Sequence, residues 1–131
     1  MRILFVTQMW PGESDPDLGS FLVPIVDELR RLDHDVEVVS IDHRDGSRAK
    51  YPRLCRDSVA AARRGSPDVV FAHMLFPAGA AGAMASIAGS APLVVMAHGQ
   101  DVRNLVDVRG VTSATRWVVG RSAALICNSR W

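Results

Sequence analysis

Residues 92–102 read Pro92-Leu93-Val94-Val95-Met96-Ala97-His98-Gly99-Gln100-Asp101-Val102. A short apolar run opened by Pro and broken by His-Gly is the pattern of a strand buried on both faces of a parallel sheet. In open α/β sheets, ligands bind just beyond the carboxyl ends of the strands. The titratable His98, the flexible Gly99 and the acid Asp101 therefore stand where such folds keep their chemistry. The pattern recurs. Val69-Val70-Phe71-Ala72 runs into His73, Ala124-Leu125-Ile126-Cys127 into Asn128-Ser129, and Ile3-Leu4-Phe5-Val6 into Thr7-Gln8. Polar groups after successive apolar runs predict one shared edge and one site.

Helical segments separate these runs. Phe21, Leu22, Ile25, Val26, Leu29 and Leu32 recur at helical spacing and are expected to face the sheet. Ser20 is placed to cap that helix, Pro24 falls in its first turn, and Arg30 and Arg31 suit its C-terminal end. Strand 36–41 follows, then a polar loop, 42–50, expected to be mobile. A second helix is predicted over 51–64, with Pro52 at its start and Gly65 at its end. Strand 68–72, a helix from Pro77 to about Ala88 that stops at Gly89, and strand 93–97 come next. One or two helices over 101–121 and a strand over 124–127 complete the pattern. Alternation of this kind implies right-handed βαβ crossovers. The predicted fold is α/β, a three-layer Rossmann-like parallel sheet with helices on both faces.

Composition bounds the function. The chain has 131 residues, enough for a single domain and no more. Its formal net charge of +1 provides no bulk field for nucleic acid or an anionic membrane. Cys55 and Cys127 are too few for a disulfide framework or a zinc site. Reduced thiols, and the lack of a secretory apolar stretch after Met1, point to a cytoplasmic protein. No Asp, Glu, Lys or Arg occurs between Asp68 and Asp101. Pro77 and Pro92 divide that run and its middle is Ala, Gly and Ser, so strand, small-residue helix and strand describe it better than a membrane span.

Each candidate residue has a functional and a structural reading. His98 either hydrogen-bonds a ligand or satisfies neighbouring backbone groups. Asp101 orients His98, contacts a hydroxyl, or caps the next helix. His73 lines the same crevice or is a satisfied structural histidine. Gly12 and Gly19 lie in the loop where doubly wound folds bind phosphates, and serve either a substrate or an ordinary turn. Asn128 and Ser129 supply hydrogen bonds at the last strand's end or begin a loop. His34 and His43 read as surface residues. Arg103, Arg109, Arg116 and Arg121 form a basic face or are solvated helix charges. The first loop lacks G-x-G-x-x-G, so a NAD-type site is not expected. A nucleophile elbow, a P-loop and HExxH are equally missing from the sequence.

Taken in order, several stretches resemble the N-terminal, acceptor-side domain of the family 4 retaining glycosyltransferases of GT-B architecture. Met1-Arg2-Ile3-Leu4-Phe5-Val6 is similar to their opening strand. Gly19-Ser20-Phe21, followed by Asp27-Glu28-Leu29, resembles their first loop and helix. Arg31-Leu32-Asp33-His34-Asp35-Val36 resembles their L-x-x-x-G-H-x-V stretch, with Asp33 where they carry Gly. Asp68 to His73, His98-Gly99-Gln100-Asp101, and Ala123 to Ser129 resemble a D-V-I-x-x-H strand, an H-G-x-D turn and a closing strand that often has Asp where Ala124 stands.

The resemblance implies that His98 sits near the transferred sugar as the catalytic residue. Gly12, Gly19, His73, Gly99, Asp101, Asn128 and Ser129 would contact substrate, with the Gly19 loop near the donor phosphates. It implies no cofactor and no metal, the nucleotide-sugar donor being a substrate. The acceptor would be a hydroxyl of a lipid, glycan or small polyol, reached in the cytoplasm or at the inner membrane face. No nucleic acid is expected. Residues 1–131 would form one incomplete domain that lacks the C-terminal donor half and has negligible turnover alone. The alternatives are a non-enzymatic α/β ligand-binding module or truncated remnant, and a flavodoxin-like or response-regulator-like domain. A response-regulator-like domain needs acids after the first strand, where Thr7-Gln8-Met9-Trp10 has none.

Overall fold

The computed structural model describes residues 1–107 and 110–127. Strands and helices alternate along the chain: β1 (Arg2–Thr7), α1 (Val23–Arg31), β2 (Asp35–Ser40), α2 (Lys50–Gly65), β3 (Val69–His73), α3 (Ala78–Gly89) and β4 (Leu93–Ala97). Two helices, α4 (Gly99–Asp107) and α5 (Val111–Arg121), precede β5 (Ser122–Cys127). All strand pairs are parallel and the sheet order is β2-β1-β3-β4-β5. The order reverses between β1 and β3, the topological switch point at which doubly wound sheets open a crevice.

Alternation along the strands divides the core into two halves. Ile3 and Phe5 join Leu22, Val26 and Val36 on the face covered by α1. Leu4, Val6, Val70, Ala72, Leu93 and Val95 join residues of α2, α3 and α5 on the other. The uncharged stretch is β3-α3-β4, and α3 is buried by virtue of its small residues. A Cβ at Gly82 would stand 2.8 Å from the Ala72 Cβ and 3.2 Å from Leu93 Cδ1, so glycine sets how closely that helix lies on the sheet. No helix among the described residues is long and apolar enough to cross a membrane.

Several local expectations are corrected. Ser20 does not cap α1. It opens a short 3₁₀ turn, Ser20–Leu22, preceded by Gly19 in the left-handed region, and makes no capping bond. That turn rotates Phe21 out to 52% exposure, and Leu32 at the far end of α1 is 53% exposed, so neither faces the sheet. Gly65 and Gly89 are the last helical residues of α2 and α3, and the left-handed caps are Ser66 (φ 45°) and Ser90 (φ 53°). The loop after β2 is held in place: Arg44 pairs with Asp15 and Asp17, and the Lys50 ammonium donates to the carbonyls of His43, Arg44 and Asp45. His34 is half-buried, with Nδ1 enclosed and unpartnered. Cys55 and Cys127 are free thiols.

Asp33, where the resembling family carries Gly, has φ 60°. Its amide bonds to Arg30 O at 3.0 Å, closing α1 before the chain enters β2. A non-glycine residue there is strained, Asp less than most. Asp33→Gly is expected to raise unfolding free energy by about 0.5–1 kcal/mol, the relief exceeding the added freedom of the unfolded chain. Urea denaturation reads this as a higher midpoint at unchanged slope, and an unchanged or lower midpoint refutes it.

Candidate functional site

The parallel register sets Thr7 opposite His73, and His73 opposite Met96. The carboxyl ends of β1, β3 and β4 are therefore level, and His98 follows β4 by one residue. The His73 side chain lies on the α1 face with Phe5 and Phe71, ring centroids 4.7 and 4.9 Å away. His73 is fully buried. Its Nδ1 lies 3.3 Å from His98 Nε2, and the rings tilt by 35° at 5.5 Å. Burial, and secondarily the neighbouring His98, lower the His73 pKa to about 4. His73 is thus a neutral imidazole near pH 7. The exposed Phe21 presents an edge-type contact to His98 at 5.7 Å. The histidine pair is accordingly closed by aromatic rings on the sheet side and flanked by an accessible one at the mouth.

Asp101 is 3% exposed, and its Oδ2 accepts the Leu75 amide at 2.8 Å. Its other oxygen accepts the Val102 amide at 3.1 Å. The carboxylate thereby ties the start of α4 to the segment after β3, where Met74 has φ 80°. The His98 carbonyl takes the first helical bonds of α4, from the amides of Asp101 and Val102. Gln8 performs the equivalent tie from β1, its Oε1 accepting the Ala78 amide at the start of α3 at 3.0 Å.

The glycines fall into two kinds. A Cβ at Gly12 would stand 2.2 Å from Asp42 O, and one at Gly19, where φ is 63°, would stand 2.6 Å from Met9 O. Both approaches are made by the chain to itself. A Cβ at Gly99 would meet nothing within 4 Å among the described residues. Arg44 fixes the loop carrying Gly12 and Gly19, with Nη1 2.8 Å from Asp15 and Nη2 3.0 Å from Asp17. The Arg44 amide and guanidinium hold the Asp15 carboxyl below its ordinary range, and hydrogen bonding to the guanidinium does the same for Asp17.

The structure thus brings His73, His98, Gly99 and Asp101 together, with the Gly19-Ser20-Phe21 turn meeting them through Phe21. Gly12 lies against the end of β2. Arg103, Arg116 and Arg121 are exposed on α4 and α5. Asn128, Ser129 and Arg109 lie outside the described residues. Among the described residues no group of three or more His, Cys, Asp or Glu could hold a metal. A concavity of about 180 Å³ lined by Arg2, Glu37 and Arg64 lies at the amino ends of the strands, away from the histidines. Sequence reasoning missed two parts of the site. Phe21 was hidden by its helical spacing, and the Asp101–Leu75 tie joins residues 26 apart with no local signal.

A five-stranded parallel sheet with helices on both faces, and a histidine pair beside its switch point, defines the class: a doubly wound α/β domain. A sequence model of Glycosyltransferase Family 4 matches residues 19–131, and the chain belongs to that family. Comparison with curated proteins finds no match. Among solved structures the chain is similar to the signal receiver domain of a modulated diguanylate cyclase from Desulfovibrio desulfuricans G20, described as an example of alternate folding. The identity is 12%, the TM-score 0.60, and the match covers 99% of this chain and 82% of that one. This likeness shows the doubly wound fold alone.

Two expectations follow from the geometry. Asp101→Ala leaves the buried Leu75 amide unpaired and is expected to destabilise by about 2 kcal/mol, whereas Asp101→Asn keeps an acceptor and loses about 1 or less. Equal losses in chemical denaturation would remove the assigned tie. The second concerns pH. The unfolded chain protonates His73 near 6.5 while the folded chain resists until about 4. Below 6.5 the unfolded state binds more protons, so stability falls as pH falls through this window, by about 3 kcal/mol in all. In His73→Leu that component of the slope disappears. A variant with the wild-type slope between pH 6.5 and 4 would contradict the burial argument.

Proposed function

We propose that this chain is the acceptor-side domain of a sugar transferase. In the whole enzyme a hexose passes from a nucleotide-sugar donor to a hydroxyl of a lipid, glycan or small polyol, with retention at the anomeric carbon. The observation that carries the reading is the His73–His98 pair at the carboxyl edge of the sheet, within a chain of the family. His98 contacts the reacting sugar. Gly99 admits it, since its open side lets a ligand approach the start of α4. The turn at Gly19 lies close to the donor phosphates, supported by its position between β1 and α1 and by the rigidity that Arg44 imparts. The basic clamp and the acids that stabilise a departing nucleoside diphosphate belong to a second domain, which holds the donor. No resident cofactor is required, and the protein works in the cytoplasm or against the inner membrane face.

Gly99 supports this reading because no contact among the described residues demands a glycine there. Gly12 and Gly19 are demanded by the chain's own packing, whereas Gly99 is not. In the whole transferase, assayed with a panel of nucleoside diphosphate hexoses, His98→Ala is expected to lower kcat/KM by about 10²-fold or more. Gly99→Val should leave thermal stability within about 0.5 kcal/mol while reducing transfer, because its side chain fills only the open space. Unchanged turnover in His98→Ala would overturn the role given to that residue. Unchanged turnover in Gly99→Val would show that the ligand approaches elsewhere.

A further inference from the structure

The hydrogen-bond arithmetic of the histidine pair constrains where protons reside. A neutral imidazole has one N–H donor and one lone-pair acceptor. His73 is fully buried, and its Nε2 has no hydrogen-bond partner among the described residues. Its Nδ1 meets His98 Nε2 at 3.3 Å. That contact can form in two ways. Either His73 donates from Nδ1 to the lone pair of His98 Nε2, or His98 donates from Nε2 to the lone pair of His73 Nδ1. The second arrangement puts the only His73 proton on Nε2, an N–H enclosed with Phe5 and Phe71 nearby and no acceptor. The first leaves only a lone pair unpaired there. A buried donor without an acceptor is the rarer and less tolerated defect.

We propose that His73 is a positioning residue that holds His98 as the Nδ1–H tautomer, by donating from its own Nδ1 to His98 Nε2. His73 lacks a second proton near neutral pH, since its pKa is lowered to about 4, so it cannot satisfy both of its nitrogens as donors. The fixed tautomer determines what His98 offers. Its Nε2 lone pair is engaged toward β3, and Nδ1 carries a proton. In this tautomer the Nδ1 of His98 can only donate, to an oxygen such as a sugar hydroxyl or ring oxygen. His98 does not act as a base through Nδ1. The identity of that oxygen rests on the transferase reading above. The tautomer itself does not, and is measured without any sugar.

The test is long-range ¹H–¹⁵N correlation of imidazole signals in the chain labelled with ¹⁵N-histidine, at pH values where the rings are neutral. His34 and His43 are assigned by His34→Gln and His43→Gln. The wild type should show both His73 and His98 protonated at Nδ1. His98 found with its proton at Nε2 would overturn the proposal, whatever the transferase assays show. His73→Leu removes the donor, and His98 should lose its Nδ1–H majority in favour of the Nε2–H form common in water. His73→Asn keeps an amide N–H near the former Nδ1 and should restore the wild-type pattern. An unchanged pattern in His73→Leu would assign the tautomer to another contact and end the role of His73. Should His73→Leu fail to fold, the wild-type spectrum and His73→Asn decide the matter alone. If the tautomer is found as expected and His98→Ala keeps full transfer activity, the positioning stands and the sugar contact falls.

Discussion

Parallel pairing forces every strand to deliver its carboxyl end to the same edge, and here the register makes that edge level. Thr7 stands opposite Ser40 on one side and His73 on the other, and His73 stands opposite Met96. A slip of one residue on β3 would exchange the faces of its side chains, sending His73 toward the α2–α3 side and Ala72 toward Phe5. The histidine pair therefore depends on the sheet before it depends on any local bond. Once the register is set, short ties finish the edge. Asp101 joins the start of α4 to the Leu75 amide, and Gln8 joins β1 to the start of α3. Each uses a side-chain oxygen to satisfy an amide that the fold leaves unpaired.

The level edge in turn requires tight packing beneath it. Helix α3 carries Ala and Gly almost throughout and is buried along most of its length. Gly82 faces Ala72 and Leu93, and Gly79 approaches Met74 O and Val118. A larger side chain at either position would push the helix off β3 and β4, and with it the segment that carries Met74 and Leu75. The charge-free stretch from Val69 to Gln100 is thus the signature of a helix clamped between a sheet and its neighbours.

Much of this was legible because apolar runs closed by polar residues announce buried parallel strands. β4 was bounded correctly to the residue, and the other strands differ by one or two residues at one or both ends. Asp33 was legible only through the resemblance: it stands where the family carries Gly, and it has the positive φ that such a glycine suits. What escaped were features created by contacts across the chain. Ser66 and Ser90 adopt the left-handed cap one residue after the glycines that propensity favours; for α3 the cause is close packing, since a Cβ at Gly89 would lie 3.2 Å from the Ala62 Cβ, whereas one at Gly65 would meet only the Glu37 carboxylate at 3.4 Å. Charge in the loop after β2 suggested mobility, yet Arg44 meets carboxylates 27 and 29 residues away. Helical spacing put Phe21 on the sheet, and a 3₁₀ turn set by Gly19 turned it toward His98 instead.

At the site, the sequence showed which residue types end the strands but not how they would divide the work. His73 is where the division is sharpest. It is packed against Phe5 and Phe71, with one ring nitrogen unpaired. An apolar side chain of similar size would fill that space without burying an unsatisfied polar atom, and partly satisfied polar groups are worse for stability than apolar ones. Folding alone therefore does not account for an imidazole at this position. Among the described residues the one hydrogen-bond partner its ring finds is His98, which stands at the accessible end of the same edge beside the exposed Phe21 ring and Gly99. The positioning role proposed for His73 supplies the reason that folding does not.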